Sequence, residues 1–265
     1  MWARHVIEVT LERFIFELAS VVPPLRPPGG IRVLCYHGVY DSSKLSPRDR
    51  LAIATTALEA HLAAVLESGR AVVPLPDLER CVAGSVLLTF DDNLVSHVAC
   101  ALPILRAVGV TATFYLSPAD LGAASQLSHR DVGALLRAGM FVGAHGNHHI
   151  PAVEIGPAEF RREVEVCRAF LLGLGMPLTW AYPGGYVGSF RAYHERILLD
   201  HGFAIRFSTL EGVCRPSPLR VQPRYVIRQR SSARYVRAAL RGGLQLVSLG
   251  KRLRAVTNYW SAPGF

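Results

Sequence analysis

The sequence predicts an α/β fold, a distorted barrel of about seven parallel strands surrounded by helices. From residue 31 onward, short apolar or β-branched runs alternate with turns and with stretches of helical period. Strands that are separated by helices pair in parallel, and so many successive units favour a barrel over an open sheet. The chain is 50% hydrophobic and 18% charged over 265 residues, which is typical of a globular protein with a large core.

The predicted elements follow one another closely along the chain. Strands are predicted for seven segments: 31–37, 70–75, 85–92, 110–117, 140–145, 178–185 and 203–208. Helices are predicted for six segments: 55–69, 76–84, 103–109, 128–139, 157–175 and 189–202.

The pattern divides the chain into residues 1–30, 31–230 and 231–265. Charged residues interrupt the apolar N-terminal segment, so we expect an amphipathic helix there rather than a signal peptide or a membrane span. The segment PPLRPPGG that follows is typical of a stiff linker. Residues 31–230 form the predicted main domain.

The net charge of +9 is concentrated in the C-terminal part of the chain. After Glu211 there are eleven basic residues and no acidic one, so residues 1–211 carry a net charge of −2. We therefore expect no nucleic-acid partner for the domain. Basic and apolar residues alternate in the extension 231–265, which predicts a cytoplasmic protein with peripheral contact to the anionic inner face of a membrane. For residues 231–241, a terminal helix packed over the barrel is the alternative.

Polar side chains gather at the predicted C-terminal ends of the strands, which meet at one mouth in a barrel. These strand-end positions are Tyr36, His37, Asp91, Asp92, His145, His148, His149, Tyr182, Pro183 and Gly184.

Two adjacent carboxylates, Asp91 and Asp92, end the third predicted strand in the segment LLTFDDNLVS. Like charges in one place repel each other unless a cation or a shared proton relieves them. The alternative is an ordinary helix N-cap, because Asp commonly satisfies the free N–H groups of a first helical turn.

Three histidines lie within five residues in the segment AHGNHH. His145 and His149 are spaced i, i+4, and Gly146 favours a loop that turns both imidazoles toward one point, whereas His148 is expected to face solvent. Two imidazoles and one carboxylate form a sensible site for a borderline divalent metal with open positions for water. Zinc (Zn2+) is the first expectation.

The motifs TFDDN (89–93) and HGNHH (145–149) resemble those of the polysaccharide deacetylase family, also called the NodB homology domain or carbohydrate esterase family 4. The resemblance extends from LCYHGV (34–39) through AYPGG (181–185) and HGFAIRFST (201–209) to PRYVI (223–227). It covers most of residues 31–228 and implies a NodB-like barrel. The order and spacing of these motifs are more specific than any one of them.

By position, the resemblance implies that Asp91 is the general base and that Asp92, His145 and His149 bind the metal. It further implies metal-dependent removal of an N-acyl group, usually acetyl, from an amino sugar in a polysaccharide, oligosaccharide or lipid-linked glycan. A metal polarises the amide carbonyl and acidifies its bound water, and a free carboxylate takes the proton during attack.

The sequence departs from the family pattern at several positions. Asn93 stands where the family has glycine, Gly146 stands where it has Ser or Thr, and AYPGG lacks the arginine that many members carry before the proline. Arg224 of the PRYVI segment is the candidate to orient Asp91 instead.

No Leu-x-x-His motif follows His201, although in many members such a motif provides the general acid. His37 is the candidate replacement, by resemblance to a subset of the family with an N-terminal Tyr-His motif. The alternative for His37 is a satisfied histidine at a strand end.

Substrate contacts are expected from Tyr36, Tyr182, Pro183 and Gly184 at the mouth, with tyrosine rings that could stack on a sugar; the alternative is that these strand-end tyrosines are simply packed in the core. The expected partner is an N-acetylated glycan or glycolipid. Two other functions stay open at this stage: a catalytically degenerate NodB-like carbohydrate-binding protein, and a metal phosphodiesterase.

Overall fold

The protein folds as a curled parallel sheet covered by helices on its outer face. The computed structural model describes residues 29–77, 84–215 and 217–242. The strands of the main sheet are β1 (Arg32–Tyr36), β4 (Val86–Asp91), β5 (Thr113–Leu116), β6 (Phe141–Ala144), β7 (Thr179–Ala181), β8 (Ile205–Phe207) and β9 (Tyr225–Val226). Their order is β8-β7-β6-β5-β4-β1-β9, and every pairing is parallel. The predicted distorted barrel of about seven parallel strands is thereby confirmed.

The two edges of the sheet approach each other through the segment that leads into β9. Gln222 forms a parallel bridge with Phe207 of β8, and its N–H donates to the carbonyl of Arg206 at 2.7 Å. Three residues later, Tyr225 of β9 pairs with Leu34 of β1. One short segment therefore connects both edges and curls the sheet.

Six α-helices are described: α1 (Thr55–Glu67), α2 (Leu102–Ala107), α3 (His129–Arg137), α4 (Pro157–Gly173), α5 (Ala192–Asp200) and α6 (Ala233–Arg241). A π-helical turn, His97–Ala101, leads into α2. Sequence signals explain several boundaries: Ser128 and Asp131 form a capping box before α3, and α6 ends at Gly242, whose φ is 83°.

The sheet separates a large core under the helices from a small core inside the barrel. The inner core contains Val33, Leu87, Tyr115, Ala181 and Phe207. Side chains alternate across a strand, so the residues two positions after Val33 and Leu87 also face the interior. This alternation carries Cys35, Thr89 and finally Asp91 along the inner wall to the mouth.

Some predicted elements differ from the structure. The segment 70–75 contributes one bridge, between Val72 and Val86, instead of a strand. A two-stranded pair, β2 (Val39–Tyr40) and β3 (Ile53–Ala54), was not predicted. The helix predicted for 76–84 falls largely on residues 78–83, outside the described residues.

Helix α6 packs against α1 and continues the domain beyond residue 230. Arg237 pairs with Glu67 at 2.9 Å, and Nε2 of His61 lies 2.8 Å from the carbonyl oxygen of Ser231. For residues 233–241 the structure therefore shows the packed helix. The predicted N-terminal helix and the basic tail after Gly242 lie outside the described residues. No helix within the described ranges is long and apolar enough to cross a bilayer.

Candidate active site

Asp91 and Asp92 are neighbours in the chain but enter different environments. β4 ends at Asp91, and the backbone then turns through two left-handed residues, Asp92 with φ 83° and Asn93 with φ 53°. The side chain of Asp91 is 1% exposed, whereas that of Asp92 is 28% exposed. The following helical segment begins at His97 with Ser96 in the N-cap position, so the alternative of a helix N-cap does not hold for either aspartate.

Asn93 stabilises the turn that separates the two carboxylates. Its buried amide donates to the carbonyl of Ser117 at 2.7 Å and accepts from the N–H of Ser117 at 2.8 Å. Asn tolerates the left-handed region better than most residues. The Asn93 side chain therefore attaches the turn to Ser117, the residue that follows β5. A glycine at position 93 could adopt the turn but could not make these two bonds.

Arg224 holds Asp91 on the inner wall by a bidentate ion pair. Nη1 donates to Oδ1 at 2.8 Å and Nη2 donates to Oδ2 at 2.6 Å, and both side chains are almost fully buried. The Arg224 Nε also donates to the carbonyl of Ser208 at 3.1 Å. Burial alone raises the pKa of Asp91, but the charge of Arg224 outweighs it and, with His145 and His37 adding to its effect, lowers this pKa to about 2.

His145 presents one nitrogen to the mouth because the other is committed to the backbone. Its Nδ1 lies 2.7 Å from the carbonyl oxygen of Ala181. A carbonyl only accepts, so Nδ1 carries a proton, and Nε2 is the nitrogen that in the neutral ring offers a lone pair to a metal. That Nε2 lies 3.2 Å from Oδ1 of Asp92.

His149 completes a group of three possible ligands. Its Nε2 lies 3.0 Å from Oδ1 of Asp92, and its φ is 54°. The ligand atoms of Asp92, His145 and His149 all lie within 4.8 Å of one another. Burial raises the pKa of Asp92, but its contacts with both histidines outweigh this and hold the pKa below its usual range.

The donor set fits a divalent metal. A lone pair on His145 that faces a carboxylate at 3.2 Å is repulsive unless a cation or proton lies between the two atoms. Ligands of a tetrahedral zinc at the usual bond lengths lie about 3.3 Å apart, close to the spacings found here. Asp91 is tied to Arg224 and stays outside this group of three.

Glu163 of α4 holds the histidine loop, a role that the sequence did not predict. Its Oε2 accepts from the N–H groups of Asn147 at 2.7 Å and His148 at 3.0 Å, and its Oε1 lies 2.5 Å from Nδ1 of His148. Glu163 supplies the bracing that Gly146 lacks. Its position on the buried face of α4 between Phe160 and Cys167 was a usable signal, because an unpaired carboxylate is rarely buried on a helix.

His37 lies immediately after β1, on the far side of Asp92. It is 7% exposed, and its Nε2 lies 3.9 Å from Oδ2 of Asp92. Among the described residues its Nδ1 has no hydrogen-bond partner, so the alternative of a satisfied strand-end histidine lacks the contacts it requires. Burial lowers the pKa of His37, although the two aspartates oppose that effect.

The predicted catalytic and ligand residues at the mouth share one cavity of about 250 Å³, whose wall includes His37, Asp91, Asp92, His145 and His149. This volume is below the roughly 300–1,000 Å³ of sites for drug-sized ligands. It suits one sugar ring with its substituent better than several rings. Arg224 lies behind this wall, in contact with Asp91.

The predicted substrate residues divide between the cavity and the core. Tyr182 and Gly184 line the cavity, but the Tyr182 ring stacks on Phe190 at 4.1 Å and its hydroxyl donates to Glu195. Tyr36 is fully buried and stacks on Phe90. The predicted stacking of sugar on the rings of Tyr36 and Tyr182 is therefore wrong, because neither ring has a free face.

Pro183 also does not line the cavity. It is buried, and its Cγ lies 3.3 Å from the position that a Cβ on Gly146 would take. Its contact is thus with the histidine loop, and we correct its assignment from substrate binding to packing.

The chain is similar to known proteins in sequence and in fold. Residues 81–204 match the family model described as polysaccharide deacetylase. IcaB from Ammonifex degensii superposes with a TM-score of 0.69 at 24% identity, over 81% of this chain and 98% of that one. The deacetylase PplD of Streptococcus pyogenes, solved with acetate, gives 0.71 at 20% identity over 81% and 99%.

A de-N-acetylase from Aggregatibacter actinomycetemcomitans is similar over 74% of this chain and 94% of its own, with a TM-score of 0.64 at 15% identity. No curated protein matches the chain in sequence. At these identities the structural likeness establishes the fold alone. The family match identifies residues 81–204 as a polysaccharide deacetylase domain.

Proposed function

We propose that this chain, a carbohydrate N-deacetylase with a polysaccharide deacetylase domain, acts through a divalent metal. With this metal it would remove an N-acyl group from an amino sugar. The acyl group is in the first instance acetyl, and the sugar belongs to a glycan or glycolipid. One observation carries the proposal: Asp92, His145 and His149 converge while the adjacent Asp91 is kept apart by Arg224.

Asp92, His145 and His149 would hold the metal, with zinc as the first candidate for these ligand types. When bound, such a metal polarises the amide carbonyl and makes water a better nucleophile. The bond from His145 Nδ1 to Ala181 fixes the ring that faces the metal position.

Asp91 is the proposed general base. Arg224 keeps the carboxylate ionised and fixes both of its oxygens, so it is poised to take a proton from the attacking water. The same contact prevents Asp91 from turning toward the mouth to become a fourth ligand. Arg224 thus acts as a positioning residue.

His37 is the proposed general acid, which protonates the leaving amine. It lines the cavity with both aspartates: its Nε2 lies 3.9 Å from Oδ2 of Asp92, and one of its ring nitrogens lies within 4.8 Å of a carboxylate oxygen of Asp91. From this wall His37 can reach the amine that leaves from the same amide on which the base acts. Membership of the family subset with a Tyr-His motif stays a prediction.

The proposal is tested with the full chain, purified and assayed for bound metal by elemental analysis. A panel of N-acetylated oligosaccharides and polyprenyl-linked sugars is then incubated with the protein, and the release of acetate and free amine is measured. Activity should disappear with a chelator and return with metal. A protein that binds sugar but retains no metal and releases no acetate would instead be a degenerate carbohydrate-binding protein.

The proposed location is the cytoplasm, at the inner face of a membrane. Support comes from the sequence after Gly242, where Lys251, Arg252 and Arg254 alternate with apolar residues and no carboxylate is present. Each basic group near an anionic surface contributes on the order of 1 kcal/mol. Sedimentation with anionic and neutral vesicles, for the full chain and for a chain ending at residue 243, tests this. Binding that persists at about 0.5 M salt would argue against it.

A further inference from the structure

One arginine in the cavity wall takes no part in the proposed chemistry. Arg228 lines the cavity beside Leu51, Thr209 and Val226, on the side formed by the residues that follow β9. Among the described residues of this wall, Arg228 has the only permanently cationic side chain. A guanidinium at this position is available to bind an anionic group in the cavity.

The backbone around Arg228 is held in place on both sides. The N–H of Ile227 donates to the carbonyl of Cys35 at 2.8 Å, and the N–H of Arg228 donates to Oγ of Ser231 at 3.0 Å. The next N–H, of Gln229, donates to the carbonyl of Arg50 at 2.9 Å. The backbone from which the Arg228 side chain extends is therefore fixed relative to β1.

Arg228 is an exposed residue, and within the described parts of the chain it makes no ion pair. In this it differs from Arg224, whose charge is neutralised by Asp91. The carboxylate of Asp92 is engaged by two histidines. No carboxylate in the cavity wall is thus left over to neutralise Arg228.

The rim next to Arg228 is basic. Arg48, Arg50 and Arg230 are all exposed, and the loop that carries the first two is fastened by the bond from Gln229 Nε2 to the carbonyl of Ser46 at 3.0 Å. The loop has two carboxylates, and each accepts from groups of its own loop: Asp49 from the N–H groups of Leu51 and Ala52, and Asp41 from the N–H and hydroxyl of Ser43. A rim with an excess of positive charge concentrates anionic ligands.

We propose that Arg228 binds an anionic group of the substrate, a phosphate or a carboxylate, next to the sugar that is deacylated. The inference rests on the proposed function and narrows its substrate class from glycans in general to anionic ones. A guanidinium suits both groups, since it donates two parallel hydrogen bonds to a pair of oxygens. The anion is either the phosphate that joins the sugar to a carrier or the carboxylate of a neighbouring acidic sugar.

The test compares matched probes on the metal-loaded full chain. N-acetylglucosamine 1-phosphate carries the anion, its methyl glycoside is neutral, and a disaccharide with a uronic acid beside N-acetylglucosamine represents the carboxylate. We expect the wild type to prefer one anionic probe, and the preferred one identifies the source. Arg228→Gln should lower kcat/KM for that probe about 10–100-fold and leave the neutral probe nearly unchanged.

Two further variants sharpen the result. Arg228→Lys keeps the charge without the planar fork, so it should recover only part of the preference. Arg161→Gln removes an equal charge from the exposed face of α4, and it should change neither probe. Equal losses in Arg228→Gln and Arg161→Gln, or equal losses on neutral and anionic probes, would overturn the inference.

Failure of this inference is distinguishable from failure of the proposed function. Hydrolysis of the neutral probe without preference for either anion removes the role of Arg228 and leaves the deacetylase intact. If no probe is hydrolysed, calorimetric titration of N-acetylglucosamine 1-phosphate into wild type and Arg228→Gln still decides. Binding that is equal in the two proteins refutes the anion site.

Discussion

Asp91 lies on the inner wall of the barrel and Asp92, the next residue, lies at its mouth. The two carboxylates have different kinds of partner. On the wall, Asp91 is buried and neutralised by a protein cation, Arg224, through two hydrogen bonds. At the mouth, Asp92 faces the Nε2 atoms of His145 and His149 at 3.2 Å and 3.0 Å. The wall thus contains its own permanent cation, whereas at the mouth the partners of the carboxylate are imidazoles, which can also bind a metal.

The difference shows how one dipeptide can supply two chemistries. A buried charge is stable only with a partner in good geometry, so Arg224 holds Asp91 ionised, as the proposed role of general base requires. The left-handed turn at Asp92 and Asn93 then moves the next carboxylate onto the rim. A regular strand would have placed it on the outer face of the sheet, under the helices.

The largest expected effect separates the two aspartates directly. Asp91→Asn should lower kcat about 10²–10⁴-fold, as removal of a positioned base does, while the protein still binds metal. Asp92→Ala should abolish turnover and lose the metal as well, because it removes a ligand. Elemental analysis and kinetics on both variants decide. Equal metal loss from the two proteins would show that wall and mouth are not separate.

The second prediction concerns His37, which belongs to the mouth but lies off the ligand group. His37→Ala should retain its metal and lose about 10²-fold or more on an N-acetyl sugar, whose amine leaves only when protonated. Its loss should be small on 4-nitrophenyl acetate, whose leaving group needs no proton. The ratio of kcat/KM for the two substrates is the measurement. A uniform loss on both would return His37 to a structural role.

Much of this comparison was visible in the sequence because it depends on local patterns. The alternation of strands and helices predicted the barrel, and motif order placed Asp91, Asp92, His145 and His149 at one mouth. The pairing of Arg224 with Asp91 followed from the absence of an arginine before Pro183. The placement of the strand-end residues could be predicted because strand ends in a parallel barrel converge whatever the loops do.

The features that the sequence did not predict depend on tertiary packing between segments that are distant along the chain. Tyr36 and Tyr182 lie at strand ends, but whether such a ring faces the cavity or the core depends on its neighbours, here Phe90 and Phe190. The segment 70–75 has strand composition, but its ladder with β4 shrinks to one bridge. Glu163 lies 14 residues beyond His149, and only the packing of α4 brings it to the loop.

The third prediction tests how strongly the metal site at the mouth depends on Glu163, which holds the histidine loop. Glu163→Gln should weaken metal affinity about 10–100-fold, because an amide oxygen replaces a carboxylate that accepts three N–H groups of the histidine loop. Glu165→Gln, an exposed change on the same helix, is the matched control. Affinity is measured by competition with a chelator, and the cobalt-substituted spectrum reports ligand geometry. A lower Tm with unaltered affinity and spectrum would limit Glu163 to stability.

The smallest expected effect measures the wall alone, in metal-free protein under acid. Because Arg224 lowers the pKa of Asp91 to about 2 in the folded state, the ionised pair stabilises the fold at pH values above the unfolded pKa of about 3.9. That stabilisation is lost as the pH falls through about 2, and it is on the order of 2–3 kcal/mol. Asp91→Asn cannot titrate there, so its free energy of unfolding should fall less steeply than that of the wild type between about pH 5 and pH 2. Urea unfolding of both proteins at several pH values gives the slopes, and Glu165→Gln again serves as the control. Parallel slopes for wild type and Asp91→Asn would mean that the carboxylate is not held ionised by Arg224, and that the inner wall is not the self-neutralised region described above.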